Sequence, residues 1–144
     1  MSPASNFVAH FEARFPNRDL WRPGCAYSAE GEKLAPFVFE EPPGDRIGVF
    51  SILATNPNTV QLCLIRADVC CRRDGPRMLA ALCAEADRLA VSMKLQAVPA
   101  DDRPDPIPED KLVAFYRKFG FVELGGMVHK PYMIRAPTPP RSQG

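Results

Sequence analysis

The segment from Thr59 to Val98 admits few topologies. It begins with a β-like run, Thr59 to Val69, whose apolar positions include Val60, Leu62, Leu64 and Ile65. An arginine-rich turn follows, Arg72-Arg73-Asp74-Gly75-Pro76-Arg77. The next residues place Met78, Leu79, Leu82, Cys83, Ala86, Leu89 and Ala90 on one helical face, with Glu85, Asp87 and Arg88 outward. Pro76 suits the first turn, where its missing N–H leaves nothing unsatisfied. Lys94–Val98 reads as a second strand. Strand, helix and strand within about 40 residues predict a parallel pair with a right-handed crossover.

The turn has chemistry of its own. The first amides of a helix lack intrahelical partners, and the helix dipole is positive there. Arg72, Arg73 and Arg77 add charge at the same place, so the turn is a candidate phosphate site. This basic character is local, because the formal net charge of the 144-residue chain is only +1. No basic stripe recurs, which argues against a nucleic-acid partner, and the weak global field argues against an anionic membrane. No apolar run approaches the roughly 20 residues needed to span a bilayer. The stretch MSPASNFVAHFEARF has no secretory hydrophobic region, so a soluble cytoplasmic protein is expected. The five cysteines, Cys25, Cys63, Cys70, Cys71 and Cys83, form no C-x-x-C pair. No metal site is expected, and Cys63 and Cys83 read as small core residues.

The flanking sequence supplies the rest of one domain. Phe7, Val8, Phe11 and Phe15 fall at helical spacing over residues 6–15, with Ser5 as N-cap, Pro16 as stop and His10 facing solvent. A strand is expected around Cys25–Ser28 and another at Phe37–Glu40. Ile47–Ala54 is apolar in both alternating sets, which predicts burial on both faces. It pairs with the strand after Asn56-Pro57-Asn58 as a hairpin. Pro99–Pro108, with four prolines, reads as a surface loop. Glu109–Phe119 is a second helix, with Leu112, Phe115, Tyr116 and Phe119 as its stripe and Gly120 as its stop. Phe121–Leu124 and Met127–Arg135 form a closing hairpin, and Ala136–Gly144 a disordered tail.

Two local runs, the arginine turn and Ala114-Phe115-Tyr116-Arg117-Lys118-Phe119-Gly120-Phe121, stand at a telling separation. Together they resemble the GCN5-related N-acetyltransferase (GNAT) superfamily. Its phosphate turn is written Q/R-x-x-G-x-G/A, and its later helix often reads F/L-Y-x-x-x-G-F. The likeness covers Arg46 to Arg135, and the second run is its more specific half. It implies an α/β (α+β) single-domain fold over residues 1–135. That fold is a mixed, mostly antiparallel twisted sheet with a parallel, splayed central pair and flanking helices.

It further implies acetyl-CoA as co-substrate. The pyrophosphate would lie on the turn formed by Arg72, Arg73, Asp74, Gly75, Arg77 and Met78. The pantetheine arm would pair near Ala67 and Val69. Tyr116 would be the catalytic acid that protonates the leaving thiolate. The implied activity is direct acyl transfer to an amine, on a small molecule or a peptide, in a ternary complex. Arg77 stands where the family has glycine or alanine, so it either crowds the phosphate or turns its side chain out. A GNAT-fold protein without catalysis, serving as a binding or regulatory module, is the alternative. Asp68, Glu40, Glu41 or a held water are the candidates for a general base, and His129 reads as solvent-facing. Asp101, Asp102, Asp105, Glu109 and Asp110 would border the acceptor cleft and suggest a cationic amine; the plainer reading is a solvated loop. A homodimer is compatible with the exposed sheet edges.

Overall fold

Ser2 opens the first helix, α1 (Pro3–Arg14), where its Oγ accepts the Ser5 N–H at 3.1 Å. The cap is therefore Ser2 and not Ser5. Pro3 explains the shift, since a proline at the first helical position brings a preset φ and no orphan donor. The computed structural model describes residues 2–18, 36–41, 44–67, 74–97, 108–124 and 132–138. The strand expected at Cys25–Ser28 and the loop at 99–107 lie outside these residues.

Among the described residues six strands form one sheet: β1 (Phe37–Glu40), β2 (Arg46–Asn56), β3 (Thr59–Ala67), β4 (Ser92–Gln96), β5 (Val122–Glu123) and β6 (Tyr132–Arg135). Their order is β1-β2-β3-β4-β6-β5. Among the described residues only β3 and β4 pair in parallel; the other pairings are antiparallel. Two further helices, α2 (Asp74–Leu89) and α3 (Glu109–Arg117), follow β3 and β4. Among the described residues the expected helices and strands are present, with β4 displaced two residues toward the N-terminus.

Residues Ile47 to Ile52 of β2 are buried throughout, as its two apolar sets predicted. One face packs on α1 and α2. There Phe50 meets Phe11, Phe15, Phe37 and Phe39 with ring centroids 5.0–6.2 Å apart. Such edge and offset contacts add to the large area each ring buries.

α2 departs from its predicted pattern at two acids. Glu85 is buried rather than outward, because α1 covers that side of the helix. Arg88 Nε donates to Glu85 at 2.8 Å, and His10 Nδ1 stands 3.3 Å from the same carboxylate. The Arg88 hydrogen bond holds the Glu85 carboxyl below its ordinary range. His10 is correspondingly a partner of α2 and not a solvent group. Asp87 receives both guanidinium nitrogens of buried Arg135, at 2.7 and 2.9 Å. Arg135 also donates from Nε to the Phe119 carbonyl at 2.6 Å, and the Thr138 N–H donates to Asp87 at 2.8 Å. These contacts join α2, β6 and the end of α3. Residues 139–144 lie outside the described residues.

The helices α2 and α3 end in the same hydrogen-bond pattern. Val91 N–H reaches the Ala86 carbonyl and Ala90 N–H the Asp87 carbonyl. In α3, Phe121 N–H reaches Tyr116 and Gly120 N–H reaches Arg117. Each is a Schellman closure with its hinge residue at positive φ.

Candidate functional site

The site begins where the two parallel strands part. β3 and β4 pair only at Thr59–Ser92, Val60–Met93 and Gln61–Lys94. Beyond Gln61, β3 continues to Ala67 along β2, while β4 continues to Gln96 along β6. Leu62 to Ile65 have no partner on β4 among the described residues. The cause is visible in the register of β2 and β3. Ser51 faces Leu64 but Ile52 faces Leu62, so Cys63 is an extra residue on β3. Its thiol donates to the Gln61 carbonyl at 3.8 Å. A bulge bends its strand and raises its twist. Here it sits two residues past the last β3–β4 pair, and the strands diverge into a wedge.

Gly48 sets the second wall. It faces Ala67 across the ladder. A Cβ there would lie 2.4 Å from the Arg66 carbonyl oxygen and 2.6 Å from Met78 Sδ. The missing side chain lets Met78, in the first turns of α2, seat against the end of β3. An isolated glycine inside an apolar strand was the available signal for this close approach. Neither Gly48 nor the Cys63 bulge was singled out from sequence.

The turn itself is partly described. Val69, Arg72 and Arg73 lie outside the described residues, as do Asp68, His129, Asp101, Asp102 and Asp105. Asp74 opens α2 and is only 3% exposed, a carboxylate at the positive end of the helix. Gly75 has open space where a side chain would stand. Arg77 has turned outward: its guanidinium is 3.3 Å from Asp74 Oδ1 and 3.3 Å from Glu41 Oε1. Arg14 approaches the other Glu41 oxygen at 3.2 Å. Glu41 is thus engaged by two arginines, and Glu40 accepts from Asn17 and the Gly44 N–H. Met78 is fully buried, so what it offers the turn is backbone rather than side chain.

Tyr116 lies on α3 with 8% of its surface exposed, between Phe115 and Phe121 at ring distances of 5.2 and 5.7 Å. Its place in the Schellman closure brings its ring against Phe121, the hydrophobic contact that accompanies that motif. Its hydroxyl makes no hydrogen bond among the described residues. Burial pushes the phenol up to about 12. Cys83 is buried too, its thiol pushed up to about 11 by the same cause. Among the described residues no group of three or more His, Cys, Asp or Glu could hold a metal ion. No described helix is long and apolar enough to cross a membrane.

No protein-family model matches the sequence, and no curated protein matches it. Solved structures do. Tetrahymena GCN5 superposes with a TM-score of 0.53 at 11% identity, over 74% of this chain and 70% of that one. An acyl-CoA N-acyltransferase from Pseudomonas aeruginosa gives 0.51 at 16% identity, over 94% and 88%. Ard1 from Thermoplasma volcanium gives 0.50 at 17% identity, over 96% and 95%. At these identities the likeness is one of fold, and the chain has the GNAT fold.

Proposed function

We infer that the chain is an acyl-CoA-dependent N-acyltransferase that moves an acetyl group from acetyl-CoA to an amine. The observation that carries this reading is the early end of the β3–β4 pairing at Gln61–Lys94, which opens a wedge along β3 toward Ala67, the end where Met78 of α2 is seated. A wedge between parallel strands exposes backbone donors and acceptors that an extended amide chain can pair with. The residues present fit the co-substrate. Gly75 leaves open space over the helix start, and the Arg77 side chain is directed to Asp74 and Glu41 instead of into the turn. That orientation also weakens the case for a purely binding protein, which rested on Arg77. Arg72, Arg73 and the backbone N–H groups from Asp74 to Met78 would hold the pyrophosphate, and Ala67 and Val69 the pantetheine arm.

The co-substrate supplies the acyl group as a thioester. The acceptor must arrive as a neutral amine. Its nitrogen takes the acyl carbon as the C–S bond breaks, and the proton it sheds passes to water. Tyr116 gives its proton to the departing sulfur and recovers one from solvent. A phenol held near 12 keeps its proton throughout the neutral range, which suits an acid and not a base.

Calorimetric titration with acetyl-CoA and free CoA tests the reading. Saturable binding is expected, weakened in the Arg72→Ala/Arg73→Ala variant. Tyr116→Phe should bind acetyl-CoA as the wild type does and lose about 100-fold in turnover. Absence of binding at millimolar CoA would overturn the proposal.

A further inference from the structure

The two faces of the sheet differ in charge. The face under α1 and α2 carries Phe50, Leu62, Met93 and Met133, all buried. By alternation and register, the opposite face from β3 to β5 carries Arg66 and Lys94 and, among the described residues, no carboxylate. Lys94 stands on a strand with neighbours on both sides. Around it on that face lie Gln61 and Ile134 across the ladders and Ser92 and Gln96 along the strand. Lys94 is half-buried, and its ammonium has no ion pair or hydrogen bond among the described residues. A half-covered lysine in an inner strand ordinarily finds a carboxylate or reaches water along its stem. What singles out Lys94 is its register. It belongs to the last β3–β4 pair, at the apex of the wedge where the acyl group would be presented.

We propose that the acceptor is an amine that also bears a carboxylate, as an amino acid does, and that Lys94 holds this carboxylate. The proposal rests on the acyltransferase reading above. The ammonium neutralises the acceptor's anionic end and leaves its nitrogen directed at the thioester, and the bonds made and broken are those already given. A cationic diamine or polyamine would meet Lys94 as a like charge. The face of the sheet thus favours the opposite acceptor from the one suggested by the acidic run at 101–110.

The test measures thiol release from acetyl-CoA by the full chain with three acceptor sets: L-amino acids, their α-amides, and spermidine. At least one amino acid is expected to be acetylated, with kcat/KM at least about tenfold above its own amide, the worth of one charge-assisted contact. Spermidine should rank lowest. Lys94→Gln should raise the KM for the amino acid about tenfold while the affinity for acetyl-CoA is held, and Lys94→Arg should restore most of it. Preference for the amide or for spermidine, or an unchanged KM in Lys94→Gln, overturns the proposal. Acetyl-CoA binding without acetylation of any amino acid overturns this inference alone. Failure of the wild type to bind acetyl-CoA overturns the acyltransferase reading, and this inference with it.

Discussion

The two halves of the sheet, on either side of the wedge, are fastened by different chemistry. In the half built from α1, β1 and β2, the fastening is aromatic: Phe7, Phe11, Phe15, Phe37, Phe39 and Phe50 are buried against one another. In the half built from β4, β6 and α3, a polar knot complements the apolar core. Buried Arg135 gathers the Asp87 carboxylate and the Phe119 carbonyl. The helix α2 belongs to both, seated by Met78 against Gly48 at its start and tied by Asp87 to β6 near its end. The difference follows from the divergence of the strands. A sheet with three paired positions at its centre has little ladder there to hold its halves together. The crossover helix has to supply that connection, and a directional bidentate pair fixes its orientation as well as its distance.

Removing a ring should cost most. Phe50 is fully buried and touches four other aromatic rings. Phe50→Ala should destabilise the protein by about 3–5 kcal/mol in urea denaturation, with the same loss at pH 4 and pH 7. A loss under 1 kcal/mol would mean that this half is not held by its aromatic cluster.

Asp87→Asn attacks the other half and should cost less, about 1–3 kcal/mol at pH 7, since Asp87 is partly exposed. This loss should depend on pH. The hydrogen bond from Arg135, with help from the Thr138 N–H, holds the Asp87 carboxyl below its ordinary 3.8. A depressed carboxylate stabilises the fold above its unfolded value and ceases to do so as pH falls through its folded value. The gap in stability between wild type and Asp87→Asn should therefore be full above about pH 5 and shrink below 3.8. A gap that stays constant down to pH 3 would remove the ion pair from the account.

The sequence made the elements of both halves legible, but not how they are joined. Hydrophobic periodicity announced β2, β3, α2 and α3, because burial on one or two faces writes directly into residue order. Tyr116, Gly120 and Phe121 were legible as a run because the Schellman closure needs its glycine and its apolar contact at fixed offsets. Asp87 and Glu85 were read as solvent-facing, since a local pattern cannot know that Arg135, 48 residues away, or α1 will cover them. The wedge was legible only through resemblance. A bulge at Cys63 leaves no mark in composition, and Gly48 could be read as a close approach only once its partner, Met78, was placed.

The two helix ends offer the finest comparison. Both close with the same pair of backbone hydrogen bonds, yet the residue at positive φ is Gly120 in α3 and Ala90 in α2, at +95° and +57°. A left-handed alanine sets its Cβ against its own backbone, at a cost of about 1–2 kcal/mol. Glycine escapes that cost but loses more freedom on folding, so only part of it is recovered. Ala90→Gly should therefore stabilise the protein by about 0.5–1 kcal/mol, a rise of a few degrees in Tm by calorimetry. Since Ala90 follows the helix that bridges the halves, the gain should persist in the Asp87→Asn background if the closure and the ion pair act separately. Loss of the gain there would show that the end of α2 is positioned by Arg135, and that the backbone closure follows from the ion pair.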